Sequence, residues 1–158
     1  ISFLCIPHFL KIEKRISVQY SVAFAPCESI HKSIDLYAKF TEEHKDTNVI
    51  IADECQFFTP QQIDDLRKIV DELDIPVLCY GLRTDFLTHL FPGSRRLFEV
   101  ADSITEIKTI CSCGKKAIVN ARIDGEGHVL TEGGQILIGG NDSYVAMCHA
   151  CWKKATKY

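Results

Sequence analysis

Four cysteines in two tight pairs, Cys111-Ser-Cys113 and Cys148-His-Ala-Cys151, constrain the C-terminal part of this chain more than any other feature. With 34 residues between them, two such knuckles can converge on one tetrahedral Zn2+, four thiolates at ~2.3 Å closing its coordination shell. The first pair is one residue shorter than the usual x2 spacing, and Gly114 beside it allows the sharper turn this requires. Four unligated thiols, or a disulfide, would use the same residues, so spacing alone leaves those readings open. The other four cysteines, Cys5, Cys27, Cys55 and Cys79, stand singly in apolar segments, as buried free thiols do. A thiolate metal site implies a reducing compartment, so a cytoplasmic location is the expectation. Composition adds exclusions: at 46% hydrophobic and 25% charged the chain is no disordered tail, and a net charge of −3 offers no basic excess for nucleic acid or membrane. The apolar residues 1–10 are too few to span a bilayer, are interrupted by Pro7 and His8, and lack the leader and cleavage pattern of a secretory signal.

Along the chain, Ile30, Ile34, Tyr37 and Phe40 fall at helical spacing. Asn48 to Ala52 is an apolar run without alternation, which predicts a strand covered on both faces of a parallel sheet. Thr59-Pro60-Gln61-Gln62 then opens a helix with a capping threonine, a proline at the first helical position and a glutamine that completes a capping box. Ile63, Leu66, Val70 and Leu73 mark its buried face, and Pro76 to Leu82 reads as a second buried strand. Strand, helix, strand predicts a right-handed βαβ unit. After Cys111 the texture changes: Ala117 to Ile123 alternates, Asp124 to Gly127 is a turn, and Gln135 to Ile138 runs into Gly139-Gly140, a small β-rich unit organised by the metal. Residues 1–15 show no period and receive no element.

Chemistry concentrates after the first strand. An apolar strand ending in an acidic residue, here Asp53, is the pattern that holds Mg2+ beside nucleotide phosphates, although an aspartate there equally caps the next turn. Ligands in open α/β sheets gather at the carboxyl ends of strands. Glu54 adds a candidate general base. Gln56, Phe57 and Phe58 offer an amide and aromatic faces suited to a nucleobase, or simply core packing for the rings.

VIIADECQFFTPQQ (49–62), IPVLCYGLRTDF (75–86), KTICSCGKKA (108–117) and EGGQILIGGNDSYVAMC (132–148) together resemble the zinc-containing cytosolic thymidine kinases, closest to the bacterial branch. The resemblance implies a partial P-loop-type parallel sheet over residues 16–110 and a zinc-binding lasso domain over 111–158. It implies transfer of the ATP γ-phosphoryl group to the 5′-hydroxyl of thymidine, with Glu54 as proton acceptor and Asp53, Glu54, Cys55 and Gln56 lining the Mg2+–ATP side. Gln56 would meet the pyrimidine edge, and Phe57, Leu82 and Phe86 would enclose the ring. Gln135, Ile136, Leu137, Ile138, Gly139 and Tyr144 would hold the nucleoside from the lasso, Gly139 and Gly140 permitting close backbone approach. Zinc would be structural, on Cys111, Cys113, Cys148 and Cys151; relatives often place histidine at the last position, and His149 sits too close to Cys148 to substitute. Family members are usually tetrameric.

The resemblance also demands a G-x-x-x-x-G-K-[ST] phosphate loop upstream of the carboxylates, and none occurs; no glycine precedes Gly81. The chain begins with Ile1 and its only methionine is Met147. These features predict a fragment that lacks the sheet's first strand and phosphate cradle, with residues 1–15 unrelated to the family, and no turnover from the chain as it stands. A zinc-ribbon binding module and a kinase remnant without function are the competing readings.

Overall fold

The structure, a computed structural model, describes residues 2–5, 30–44, 47–136 and 143–156. Four parallel strands form its main sheet in the order β2-β3-β1-β4: β1 (Ser2–Cys5), β2 (Ile50–Ala52), β3 (Val77–Gly81) and β4 (Ser103–Glu106). Helices α1 (Leu36–Glu43), α2 (Pro60–Leu73) and α3 (Pro92–Val100) belong to the same unit. Beyond it, β5 (Thr109–Ile110) pairs antiparallel with β6 (Lys116–Ala117), β7 (Val119–Arg122) pairs antiparallel with β8 (Tyr144–Met147), and α4 (His149–Thr156) follows. No helix among the described residues is long and apolar enough to cross a membrane.

The βαβ unit forms as its sequence dictates. At the start of α2, Thr59 Oγ1 accepts from Gln62 N at 3.2 Å and Gln62 Oε1 accepts from Thr59 N at 3.1 Å, with Pro60 at the first helical position. This reciprocal pair satisfies two amides that a helix start otherwise leaves unpaired. The same Gln62 donates through Nε2 to His31 O at 2.9 Å, and the buried Asp65 accepts from Leu36 N at 3.2 Å, so two polar groups of α2 fix the entry to α1. Ile63, Leu66 and Ile69 of α2 pack with Val77 and Cys79 of β3 and Leu97 of α3 in one core.

Three expectations need correction. Ser2–Cys5, within the stretch given no element, is a parallel strand seated between β3 and β4, so the central slot of this sheet is filled. Four residues are too few for a period to be read, which is why the pattern did not show it. In β2, Ile51 is 60% exposed while Ala52 is buried, so the strand is covered on one face rather than both. In β7 all four residues are buried despite the alternating sequence: Val119 and Ala121 pack on Trp152, and the guanidinium of Arg122 lies over the Phe86 ring.

Candidate active site and cysteine centre

Asp53 directly follows β2 and Gly81 ends β3 at the carboxyl edge of the sheet, and after β2 the chain leaves in a single 3-10 turn, Cys55–Phe57. Glu54 makes that turn possible by adopting a left-handed backbone, φ 54° and ψ 33°, a conformation that strains a non-glycine residue and clusters at functional sites. Asp53 is exposed and its Oδ1 accepts from Glu54 N at 2.8 Å. Burial raises the Glu54 carboxyl above the usual carboxylate range; the hydrogen bond from Gln56 pulls the other way and the charge of Asp53 adds to the rise. A carboxylate with a raised pKa is a better proton acceptor.

Gln56 braces this arrangement. It is 1% exposed; its Nε2 donates to Glu54 Oε2, and its Oε1 accepts from Leu82 N at 3.0 Å. A Cβ on Gly81 would stand 2.6 Å from Gln56 Oε1, so the close approach of β3 to this amide requires glycine. Cys55 turns inward: it is fully buried and its thiol donates to Ala52 O at 3.1 Å. Phe57 is 38% exposed and meets Phe91 edge to face, centroids 5.7 Å apart.

A second group assembles around the loop after β3. Asp85 Oδ1 accepts from Leu87 N and His89 N, both at 2.9 Å, and its Oδ2 accepts from Gln135 Nε2 at 3.0 Å. Phe86, 2% exposed, lies under the Arg122 guanidinium, and Arg122 also donates to the Tyr144 hydroxyl. The structure thus groups Glu54, Gln56 and Leu82, and separately Phe86, Gln135 and Tyr144, with residues 82–86 joining the two groups. Ile136 is half exposed; Leu137, Ile138, Gly139 and Gly140 lie outside the described residues. Sequence reading assigned no role to Asp85, Arg122, Gly93 or Ser94. Ser94 Oγ donates to Leu82 O at 2.6 Å, and Gly93 presses against the carbonyls of the Cys55–Phe58 turn.

The sulfur atoms of Cys111, Cys113, Cys148 and Cys151 lie within 4.8 Å of one another, Cys113 and Cys148 at 3.6 Å, and all four are free thiols. Tetrahedral thiolates at ~2.3 Å from a common ion stand ~3.8 Å apart, so the cluster fits one metal of the zinc type. Gly114, at φ +81°, closes the short first knuckle by donating its N–H to Cys111 O at 2.8 Å. Backbone N–H groups of Cys113 and Cys148 pull the Cys111 thiol down to about 6, whereas hydrogen bonding to Cys113, Cys148 and Cys111 pushes Cys151 up to about 12. Neighbouring sulfurs so close cannot all ionise without a cation between them. His149 is exposed beside the Trp152 ring and is not among the clustered donors.

A parallel sheet with two carboxylates at its carboxyl edge, followed by a unit built on four convergent thiols, defines a mixed α/β protein with a cysteine centre suited to one metal ion. A family model, TK: Thymidine kinase, matches residues 10–152, reaching into the stretch expected to be unrelated. A thymidine kinase of Yersinia pseudotuberculosis is 53% identical over 117 residues, covering 73% of this chain and 60% of the relative. One of Photobacterium profundum is 46% identical over 147 residues, 92% of this chain and 74% of the relative; one of Escherichia coli K12 is 42% identical over 147 residues, 92% and 69% respectively. The chain belongs to the thymidine kinase family, a family of phosphotransferases. It spans about 60% of the length of the Yersinia relatives it matches.

Proposed function

We propose that this site takes thymidine as phosphoryl acceptor and Mg2+–ATP as donor. The observation that carries this is the Glu54–Gln56–Leu82 brace: a half-buried carboxylate, fixed through an amide to the end of the neighbouring strand, at the sheet edge where nucleotides bind. Glu54 accepts the proton of the 5′-hydroxyl as the O5′–Pγ bond forms and the bond from Pγ to the ADP oxygen breaks. Phosphoryl transfer asks mainly for alignment and charge neutralisation; the exposed Asp53 carboxylate would serve Mg2+–ATP. Gln56, Leu82 and Phe57 would receive the base, and Phe86, Gln135 and Tyr144 would complete the nucleoside pocket. The cysteine centre takes Zn2+ on Cys111, Cys113, Cys148 and Cys151; four protein sulfurs leave no open position, so its part is structural. Reduced thiols of this kind fit the cytoplasm.

The sequence contains no G-x-x-x-x-G-K-[ST], and so supplies no lysine and hydroxyl for the donor phosphates. The 158-residue chain is therefore expected to bind thymidine without turning over ATP. Titration calorimetry with thymidine and then ATP, followed by an ADP-release assay, tests this. Absence of thymidine binding, or equal binding of a purine nucleoside, would overturn the proposal; thymidine-dependent ADP release would uphold the kinase reading and overturn only the expectation that this chain is inactive.

A further inference from the structure

Arg122 in β7 is 4% exposed and has no place in the phosphoryl-transfer chemistry. Its Nε and Nη2 donate to the Tyr144 hydroxyl at 3.2 and 3.0 Å. Nη1 donates to Gly134 O at 3.0 Å and Nη2 to Gln135 O at 3.5 Å. The guanidinium carbon lies 3.9 Å from the Phe86 ring centroid and 5.5 Å from that of Tyr144. Among the described residues its partners are carbonyls, a hydroxyl and two rings; none is a carboxylate.

A buried charge is costly unless every donor is used, and an aliphatic side chain would fill the same volume without that cost. What only a guanidinium provides is a rigid planar fork that binds several acceptors at once while stacking on aromatic faces. Here the fork joins three chain segments: the loop after β3 through Phe86, residues 134–135 through their carbonyls, and β8 through Tyr144. The backbone turns closely around it, since Gly133 has φ +122° and a Cβ there would come within 3.2 Å of Arg122 Nη1. Gln135 carries the link onward to Asp85, next to Phe86.

We infer that Arg122 is a positioning residue for nucleoside binding: one guanidinium sets Phe86, Tyr144 and the 134–135 backbone in a single arrangement. This rests on the nucleoside reading proposed above. The test compares the zinc-loaded 158-residue chain with Arg122→Gln and Arg122→Lys by thymidine calorimetry, zinc content and hydrogen exchange. Both variants should exchange about tenfold faster or more at 133–136 and 143–145 and bind thymidine about tenfold more weakly, with zinc content and α2 protection unchanged. Lysine, which keeps the charge but not the fork, should not restore binding. Unchanged exchange, faster exchange with unaltered affinity, or full binding by Arg122→Lys would each overturn the inference. So would loss of protection throughout α2 and β3 in both variants, which would make Arg122 a folding residue. If the unaltered chain takes up no thymidine, the nucleoside reading fails, and the exchange comparison alone decides whether Arg122 holds these segments.

Discussion

Glu54 concentrates the energetic tension of the site in one residue. Its left-handed backbone costs on the order of 1 kcal/mol or more in a residue with a side chain, and its carboxylate is held against burial by a single amide donor, Gln56. Because the folded pKa lies above the unfolded one, the native state binds this proton more tightly. Stability from the group is therefore complete below its unfolded pKa and is lost as pH rises through the folded value. At neutral pH the ionised form weighs against folding. Replacing Glu54 with Gln removes that charge and leaves an oxygen to accept from Gln56. The variant should unfold at a higher temperature than the parent at pH 7, with the difference closing as pH falls toward 4. Thermal unfolding across that range measures it, and a variant less stable at pH 7 would sink the account. A gain in stability on losing the proposed base is the sign expected of a group placed for function.

At the scale of elements, the contact between α3 and the 3-10 turn decides where Glu54 sits. A Cβ on Gly93 would fall 2.3 Å from Cys55 O and 2.7 Å from Phe58 O, both backbone atoms that cannot swing aside. Gly93→Ala should therefore destabilise the chain by about 2–3 kcal/mol as forced overpacking. Urea unfolding reads this directly, and an alanine variant of parental stability would show that α3 does not seat here. None of this was legible beforehand: α3 opens on Phe91, which makes no side-chain capping bond, so only Pro92 marks its start. By contrast α2 announced itself because Thr59, Pro60 and Gln62 each perform a local task at a fixed offset. The cysteine knuckles were readable for the same reason, ligand spacing being a local property. Arg122 was not, since a charged residue in an alternating strand reads as solvent-facing until tertiary contacts supply a ring and carbonyls. The carboxylate pair showed as a motif, whereas the left-handed backbone at Glu54 and the brace from Gln56 to Leu82 depend on β3 arriving alongside.

For the molecule as a whole, the cysteine centre and the Arg122 contact lie toward opposite ends of one strand pair, β7–β8, which ends at Cys148 and pairs Arg122 with Tyr144. Trp152, the only tryptophan, is buried on Val119 and Ala121 between them and so reports on this unit alone. Metal binding stabilises zinc-finger peptides by ~10–16 kcal/mol, so stripping zinc with a chelator should release the β5–α4 unit before the main sheet. Tryptophan emission should shift to the red while most helical dichroism persists; zinc loss without a shift would refute a structural role for the ion. The main sheet carries a different consequence, one of time. Its inner strand, Ser2–Cys5, pairs with partners roughly 75 and 100 residues downstream, and closing loops of that length is the slow part of folding. Until it docks, β3 and β4 stand one strand-width apart with two facing, unpaired edges. The long-range docking of Ser2–Cys5 is therefore expected to slow folding, and until it docks the same slot is open to a strand from a neighbouring molecule.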